Sequence, residues 1–212
     1  MTLKSLFTII IFSFFITSCS TNQLEKNDVI KVEEKFFFIK NELERDAISD
    51  TLLSDINYIL FLLKKDDLIT LNNRFINKQY GLYEVSKNNE DKKIYIDRKL
   101  EIDEISSNID SLEIKQEEAI FDCSPNNDAN YGWNKEGVFI SANIKTYLTD
   151  TMKEANLIVA NSYRSEDLKI ADFIEKKSYE LVVPYNMVFY ITKIDKQWYI
   201  TLIDKVKTDC SE

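Results

Sequence analysis

Apolar side chains recur at every third or fourth position early in the chain, and this spacing predicts helices. Residues 29–43 (VIKVEEKFFFIKNEL) follow the pattern, although the aromatic run 36–38 would also suit a strand. A second helix is predicted from Ser49 or Asp50 to about Lys65, because either polar residue can cap the apolar stripe that follows. The first third of the chain is therefore expected to be mainly helical.

The next segment predicts a third helix followed by a β-hairpin. Asp66 or Asp67 can cap the helix, and Gly81 marks its end and the turn into a strand. Residues 81–86 (GLYEVS) and 92–100 (KKIYIDRKL) are rich in strand-forming side chains and flank the polar turn KNNED. The two runs are therefore expected to pair with each other.

The middle of the chain predicts two more helices around a loop. Helical spacing returns at Ile102, Ile105, Ile109 and Leu112. Residues 119–123 (AIFDC) resemble a short strand, and residues 124–137 (SPNNDANYGWNKEG) predict a long loop. Ser141 can then cap a helix with apolar positions at Ile144, Leu148, Met152 and Ala155.

The last fifty residues predict a sheet. The runs KSYELVV, NMVFYITKI and QWYITLIDKV are rich in β-branched and aromatic residues, and Asp195-Lys196 suits a hairpin turn between the last two. Residues 165–177 are ambiguous and allow a short helix. Early helices followed by strands predict an α+β fold, with N-terminal helices packed on a mainly antiparallel sheet.

A separate apolar run stands at the start of the sequence. Lys4 precedes the uncharged residues 6–16 (LFTIIIFSFFI), and small polar residues follow, which is the layout of an export signal. Such a run forms a helix of roughly 16 Å, about half of what a bilayer core requires. The pattern therefore predicts a signal peptide over residues 1–18.

The end of this run resembles the lipobox of bacterial lipoproteins, with Ile16, Thr17 and Ser18 before Cys19. The resemblance implies that the Cys19 thiol receives diacylglycerol and that the chain is cleaved before it, so that acyl chains hold the protein on a membrane. The alternative is an ordinary signal with a coincidental Cys. Ser20 stands where an aspartate would imply retention at the inner membrane, which favours the outer membrane, facing the periplasm, in a Gram-negative source.

These features divide the chain into three parts. Residues 1–18 are the predicted signal, residues 19–28 the lipidated Cys and a polar tether, and residues 29–212 a single α+β domain. The formal net charge is −9, and the signal contributes only the positive Lys4, so the remainder is still more acidic. An acidic surface without a basic block disfavours nucleic acid, and membrane contact is expected through the acyl chains rather than the protein surface.

The absence of histidine narrows the chemistry. It excludes the usual Ser-His and Cys-His nucleophile pairs and zinc sites that contain histidine. No Gly-rich phosphate loop, Cys-x-x-Cys pair or serine elbow is present in the sequence, so no cofactor is expected. The two cysteines left after Cys19 are Cys123 and Cys210, which export to an oxidising compartment predicts to form a disulfide, unless they lie too far apart to bridge.

Three segments together resemble a family of uncharacterised bacterial cell-envelope lipoproteins. They are DDLITLNNRFINKQYGLYEV, YGWNKEGVFISANIKTYLTD and KQWYITLID. The resemblance implies a cone-shaped α+β domain of the nuclear-transport-factor-2 or cystatin type, in which a bent sheet wraps a helix. Many such proteins carry a His-Pro pair before the Gly, where this chain has Asn77 and Lys78, so any role of that histidine is not transferred. The simplest interpretation of Trp198, Tyr199 and Ile200 is alternation between the two faces of a strand.

Two polar or aromatic groups are candidate sites. The loop around Asp122 carries Asn and Asp oxygens that calcium prefers, but Tyr131 and Gly137 stand where an EF-hand requires Gly and Glu, so no metal is expected. Tyr131, Trp133, Tyr185 and Trp198 could line a concave face that binds a ligand.

The leading hypothesis is a non-catalytic envelope lipoprotein that binds another envelope protein or a glycan. One alternative is a small-molecule-binding or isomerase-like enzyme of the cone fold, in which a carboxylate such as Asp122 acts beside a Tyr. A second is an inhibitor or immunity factor whose acidic surface suits a basic envelope enzyme.

Overall fold

The computed structural model of the protein describes residues 47–88, 90, 93–104, 109, 113–123, 132–144, 146–183 and 187–210. These residues belong to one compact unit, residues 42–212. The predicted signal, Cys19, the tether and the helix over residues 29–43 lie outside the described residues.

Two early helices confirm the capping predictions. Helix α1 (Asp50–Lys64) begins after Ser49, whose hydroxyl accepts the N–H of the third residue on. Helix α2 (Leu68–Phe75) begins after Asp67, whose carboxylate accepts the backbone N–H of Thr70 at 3.0 Å, and this hydrogen bond lowers the pKa of Asp67. Local polar residues therefore set both helix starts, as the sequence indicates.

Within the described residues, seven strands form one open, mixed sheet in the order β2-β1-β7-β6-β5-β4-β3. Their bounds are β1 (Leu82–Lys87), β2 (Ile94–Lys99), β3 (Ile114–Lys115), β4 (Val138–Ser141), β5 (Tyr179–Val183), β6 (Met187–Ile194) and β7 (Gln197–Asp204). Strands β1 and β7 run parallel, as do β3 and β4, whereas the other neighbours are antiparallel. The predicted α+β class is confirmed for the described part of the chain, while the sheet is mixed.

Both predicted hairpins are present. Strands β1 and β2 pair with each other, and Gly81 precedes them with φ at +65°. A Cβ at Gly81 would lie 2.3 Å from the carbonyl oxygen of Lys99, so this turn requires glycine. Asp195 and Lys196 join β6 to β7 with φ at +50° and +71°, the conformation that the twist of a two-residue hairpin favours.

Two later helices precede β5. The ambiguous residues 165–177 form helix α4 (Ser165–Lys177), which is longer than the short helix that the sequence allows. Helix α3 (Leu148–Ile158) starts later than predicted, and Ser141 ends β4 instead of capping it. The cap comes from α4, where the Glu175 carboxylate accepts the N–H and the hydroxyl of Thr149 at 2.9 and 2.6 Å. A partner 26 residues away cannot be found from local spacing.

The predicted helix around Ile102 is absent from the described residues of that segment. Asn72 of α2 donates its side-chain N–H to the Ile102 carbonyl and accepts the Ile102 N–H, at 3.0 and 2.8 Å. Ile102 and Ile109 are buried outside regular structure, and residues 105–108 and 110–112 of the predicted helix lie outside the described residues. The predicted strand over residues 119–123 is reduced to one bridge between Phe121 and Trp133.

The two faces of the sheet differ in the side chains that they bury. The apolar face belongs to a hydrophobic cluster that also contains α1 and α2, and its strand residues include Tyr179, Leu181, Phe189, Ile191 and Ile200. The other face, which we call the polar face, carries the alternate residues Glu180, Tyr190 and Thr192 beside the buried apolar Val182 and Val188, and α4 contacts β6. Among the helices described, none combines the length and apolarity needed to cross a bilayer.

Candidate functional site

The predicted aromatic platform is not assembled by the residues that the structure describes. Trp133 and Trp198 are 4% and 3% exposed, and each packs edge-on against one ring, Phe121 and Tyr179 respectively. Trp198 and Ile200 belong to the hydrophobic cluster while Tyr199 is half-buried, which confirms the alternation of that strand. Tyr131 and Tyr185 lie outside the described residues. Both described tryptophans therefore act as core packing.

The structure brings the two predicted cysteines together. Cys123 and Cys210 lie at disulfide distance, with their Cα atoms 5.4 Å apart and a sequence separation of 87. Both residues are exposed to solvent. This contact ties the residues after β7 to the segment that precedes the predicted loop.

Among the described residues, the best candidate group of acid–base side chains lies on the polar face, and we call it the Glu180 cluster. It consists of Glu180 on β5, Tyr190 on β6, Asp204 at the end of β7 and Lys207 just beyond. Glu180 and Tyr190 are paired across the two antiparallel strands, and the Tyr190 hydroxyl donates to the Glu180 carboxylate at 3.0 Å. Lys207 donates to the same carboxylate oxygen. The cluster is therefore formed by the register of β5 and β6 together with the residues that follow β7.

Burial raises the pKa of two members of this cluster, Tyr190 and Asp204. Burial raises the pKa of the Tyr190 hydroxyl, and the nearby charges of Glu180 and Asp204 raise it further, so the hydroxyl remains protonated and serves as a donor. Burial also raises the pKa of Asp204, while hydrogen bonds from the N–H groups of Lys207 and Val206 oppose the shift. These two bonds measure 2.9 Å each.

The cluster is closed in this arrangement. The Glu180 side chain is 1% exposed and its Lys207 partner is 20% exposed, so the ammonium covers the carboxylate. The residues around Lys207 are held at two further points, because the Lys205 N–H donates to the Val85 carbonyl and the Lys205 ammonium pairs with Glu84. The arrangement suits stabilisation of the C-terminal segment, and access to Glu180 would require this segment to move.

Other polar groups on the same face are also engaged with one another. The Tyr83 hydroxyl donates to Asp167 of α4 at 3.3 Å, and the buried hydroxyls of Ser178, Thr192 and Thr201 form a chain. Burial, followed by the charge of Asp167, raises the pKa of Tyr83. These contacts join α4 to the sheet.

The structure gives little support to a cation site. In the part of the chain that it describes, no three acidic or cysteine side chains converge as metal ligands would. Asp122 is exposed, and residues 124–130, which carry the other loop oxygens, lie outside the described residues. Sequence analysis missed the Glu180 cluster, for which the available signal was a carboxylate within the apolar run YELVV.

Comparison with known proteins adds no relative. No family model, curated protein or solved structure matches this chain.

Proposed function

We propose that this chain is a bacterial envelope lipoprotein, anchored through acyl chains on Cys19, whose domain binds another envelope component without catalysing a reaction. The apolar run, the short polar end and Cys19 support the anchor. The proposal includes the predicted boundaries, with residues 1–18 removed and residues 19–28 as lipidated Cys and tether. It also includes the outer membrane, periplasmic side, as the residence in a Gram-negative source.

The observation that carries the proposal is the pair Cys123 and Cys210. Both are exposed and lie at disulfide distance, 87 positions apart in sequence. Exposed cysteines in contact are kept reduced in the cytosol and become oxidised after export. An oxidised pair is therefore the state expected for a chain that carries an export signal.

Lipidation is tested by growing the bacterium with an alkynyl fatty acid and comparing the wild type with Cys19→Ala. We expect the wild-type chain to carry the label, to sediment with membranes and to have a mass reduced by residues 1–18. The variant is expected to remain unlabelled. Cys123→Ala is the matched control, because it removes a cysteine of the same chain and should leave the label unchanged.

The outcome that contradicts the anchor is a wild-type chain that is exported and cleaved without acyl chains. A chain that stays in the cytosol with both Cys123 and Cys210 reduced contradicts export altogether. Thiol alkylation before and after reduction, followed by intact-mass analysis, distinguishes these states.

The non-catalytic part of this proposal rests on the hydrogen bonds within the Glu180 cluster. Its carboxylate, hydroxyl and ammonium already engage one another, which favours a stabilising role over a reactive one. The test is crosslinking in intact envelopes followed by mass spectrometry. Recovery of one protein or glycan in stoichiometric amount supports a binding module, whereas turnover of a small molecule that E180Q abolishes contradicts it.

The cone shape implied by the family resemblance is retained as part of the proposal. The antiparallel arrangement of β4 to β7 next to two early helices supports it. A crystal structure in which this sheet is flat would contradict it.

A further inference from the structure

One exposed apolar group stands apart from the core, and we call it the apolar tip. It consists of Leu157, Ile158 and Val159, at the end of α3, which are 86%, 84% and 61% exposed. Single exposed apolar residues are common on soluble proteins, whereas contiguous ones mark contact surfaces. Three large aliphatic side chains exposed together at one end of α3 therefore mark this end of the helix as a candidate contact surface.

The turn that carries the apolar tip is held in one conformation. The Asn156 side chain donates to the Tyr163 carbonyl at 2.9 Å and accepts the Tyr163 N–H at 2.8 Å, which closes the turn at its base. Within the turn, the Ser162 hydroxyl donates to the Val159 carbonyl at 2.7 Å. Asn161 adopts a left-handed φ of +62°, which asparagine tolerates better than most residues. The exposure of the tip is thus built into the turn.

Hydrogen bonds within the turn also lower the free-energy cost of moving it out of water. The N–H of Val159 donates to the Ala155 carbonyl at 2.9 Å, and the N–H of Ser162 donates to the Val159 carbonyl at 3.2 Å. Residues 157–162 (LIVANS) carry no charge. Because burial of charges and of unsatisfied backbone groups is costly in hydrocarbon, the lack of charge and these two hydrogen bonds lower the cost of moving this segment into the lipid surface.

We propose that the apolar tip inserts into the surface of the lipid bilayer to which Cys19 anchors the chain. The inference rests on the proposed function and revises the expectation that only acyl chains contact the membrane. Residues 20–46 separate Cys19 from the described domain and span at most about 100 Å when extended, so they allow the tip to reach the bilayer. The formal charge of −9 disfavours an anionic surface, so the partner is a zwitterionic lipid.

The test uses tryptophan as a depth probe. The chain from Cys19 onward is coupled through that thiol to a maleimide lipid in phosphatidylcholine vesicles, and brominated acyl chains serve as quencher. Val159→Trp places a probe on the tip, and Ser54→Trp places a matched probe on the exposed surface of α1. The native Trp133 and Trp198 are 4% and 3% exposed and give a constant background.

We expect brominated lipid to quench the probe at position 159 and not the probe at position 54. The additional double substitution L157S/I158S should lower the membrane-bound fraction of the tip by about tenfold or more, because two buried aliphatic side chains are lost. Circular dichroism of each variant confirms that it is folded. Chemical coupling keeps this result independent of lipidation in the cell, so the two proposals fail separately.

Three outcomes overturn the insertion. Equal quenching at positions 54 and 159 indicates that the domain has no preferred membrane-facing surface. No quenching at position 159 shows that the tip stays in water. Protection of the 159 probe that depends on protein concentration and not on lipid assigns the tip to contact with a second copy of the chain.

Discussion

The two faces of the sheet are stabilised in different ways although they share the same strands. Phe189 and Ile191 point into a cluster of aliphatic and aromatic side chains, whereas Tyr190 and Thr192, which alternate with them, take part in hydrogen bonds. Apolar contacts are non-directional, so any well-shaped side chain contributes there. The polar face requires particular partners at particular distances, which makes its contribution the more specific of the two.

The largest effect is expected on the apolar face. Phe189→Ala leaves a cavity at a fully buried position and should lower the free energy of unfolding by about 3–5 kcal/mol. Urea unfolding followed by circular dichroism measures it. Ile69→Ala is the control, because Ile69 is 77% exposed on α2 and should change stability little. Similar losses for the two variants would show that the apolar face does not dominate stability.

A comparable effect is expected on the polar face when Lys207 is replaced by Met. The variant leaves the buried Glu180 carboxylate without its cation, and the expected loss is about 3 kcal/mol. The double variant K207M/E180Q removes the uncompensated charge and should recover much of this loss. If the double variant is as unstable as the sum of the two single variants, the pair is not coupled as the structure indicates.

Local signals in the sequence identify α1, α2 and the hairpins, and nonlocal partners explain the failures. Ser49 and Asp67 cap helices within three residues of themselves, so spacing suffices to place them. The start of α3 depends on Glu175, 26 positions away in sequence. The N-cap residue, Tyr147, makes no side-chain capping hydrogen bond, so no local signal marks this start. The four-residue strand β4 (Val138–Ser141) follows the loop too closely to form a pattern of its own.

The candidate site was less predictable than the fold. Glu180 is visible in the sequence as a carboxylate among strand residues, but its partner Lys207 lies 27 positions away beyond two strands. Only the pairing of β5 with β6 and of β6 with β7 brings them together. Cys123 and Cys210 were easier to match, because once Cys19 is set aside they are the two that remain.

A smaller effect is expected in the hydroxyl chain of the polar face. Thr192→Val keeps the volume of a fully buried side chain and removes the hydroxyl that lies between Ser178 and Thr201. The loss of unfolding free energy should be about 1–2 kcal/mol, because both neighbours lose a partner. Thr51→Val is the control, because it removes an exposed hydroxyl whose 2.9 Å hydrogen bond with Ser49 water can replace. An unchanged denaturation midpoint for T192V would assign the polar face a packing role only.

The smallest effect concerns the pH dependence that Asp204 contributes to the polar face. Because burial raises its pKa in the folded chain, folding favours the protonated form, and this carboxyl opposes stability at neutral pH. Its unfavourable contribution is lost as the pH falls through the raised pKa. Asp204→Asn keeps an oxygen that can accept the N–H groups of Val206 and Lys207 and should raise stability at pH 7 by no more than about 1 kcal/mol.

The direction in which the stability difference between Asp204→Asn and the wild type changes with pH distinguishes this role from a general effect of removing a charge. The advantage of Asp204→Asn over the wild type should shrink as the pH is lowered toward 4, because the wild-type carboxyl then becomes neutral as well. Asp204→Ala, which leaves both N–H groups without their acceptor, should be destabilising at every pH, by about 1–3 kcal/mol. Thermal unfolding from pH 4 to 8 measures all three proteins. A wild type that outperforms D204N increasingly as the pH rises would show that the Asp204 charge is favourable where it lies, and that the polar face tolerates a second carboxylate beside Glu180.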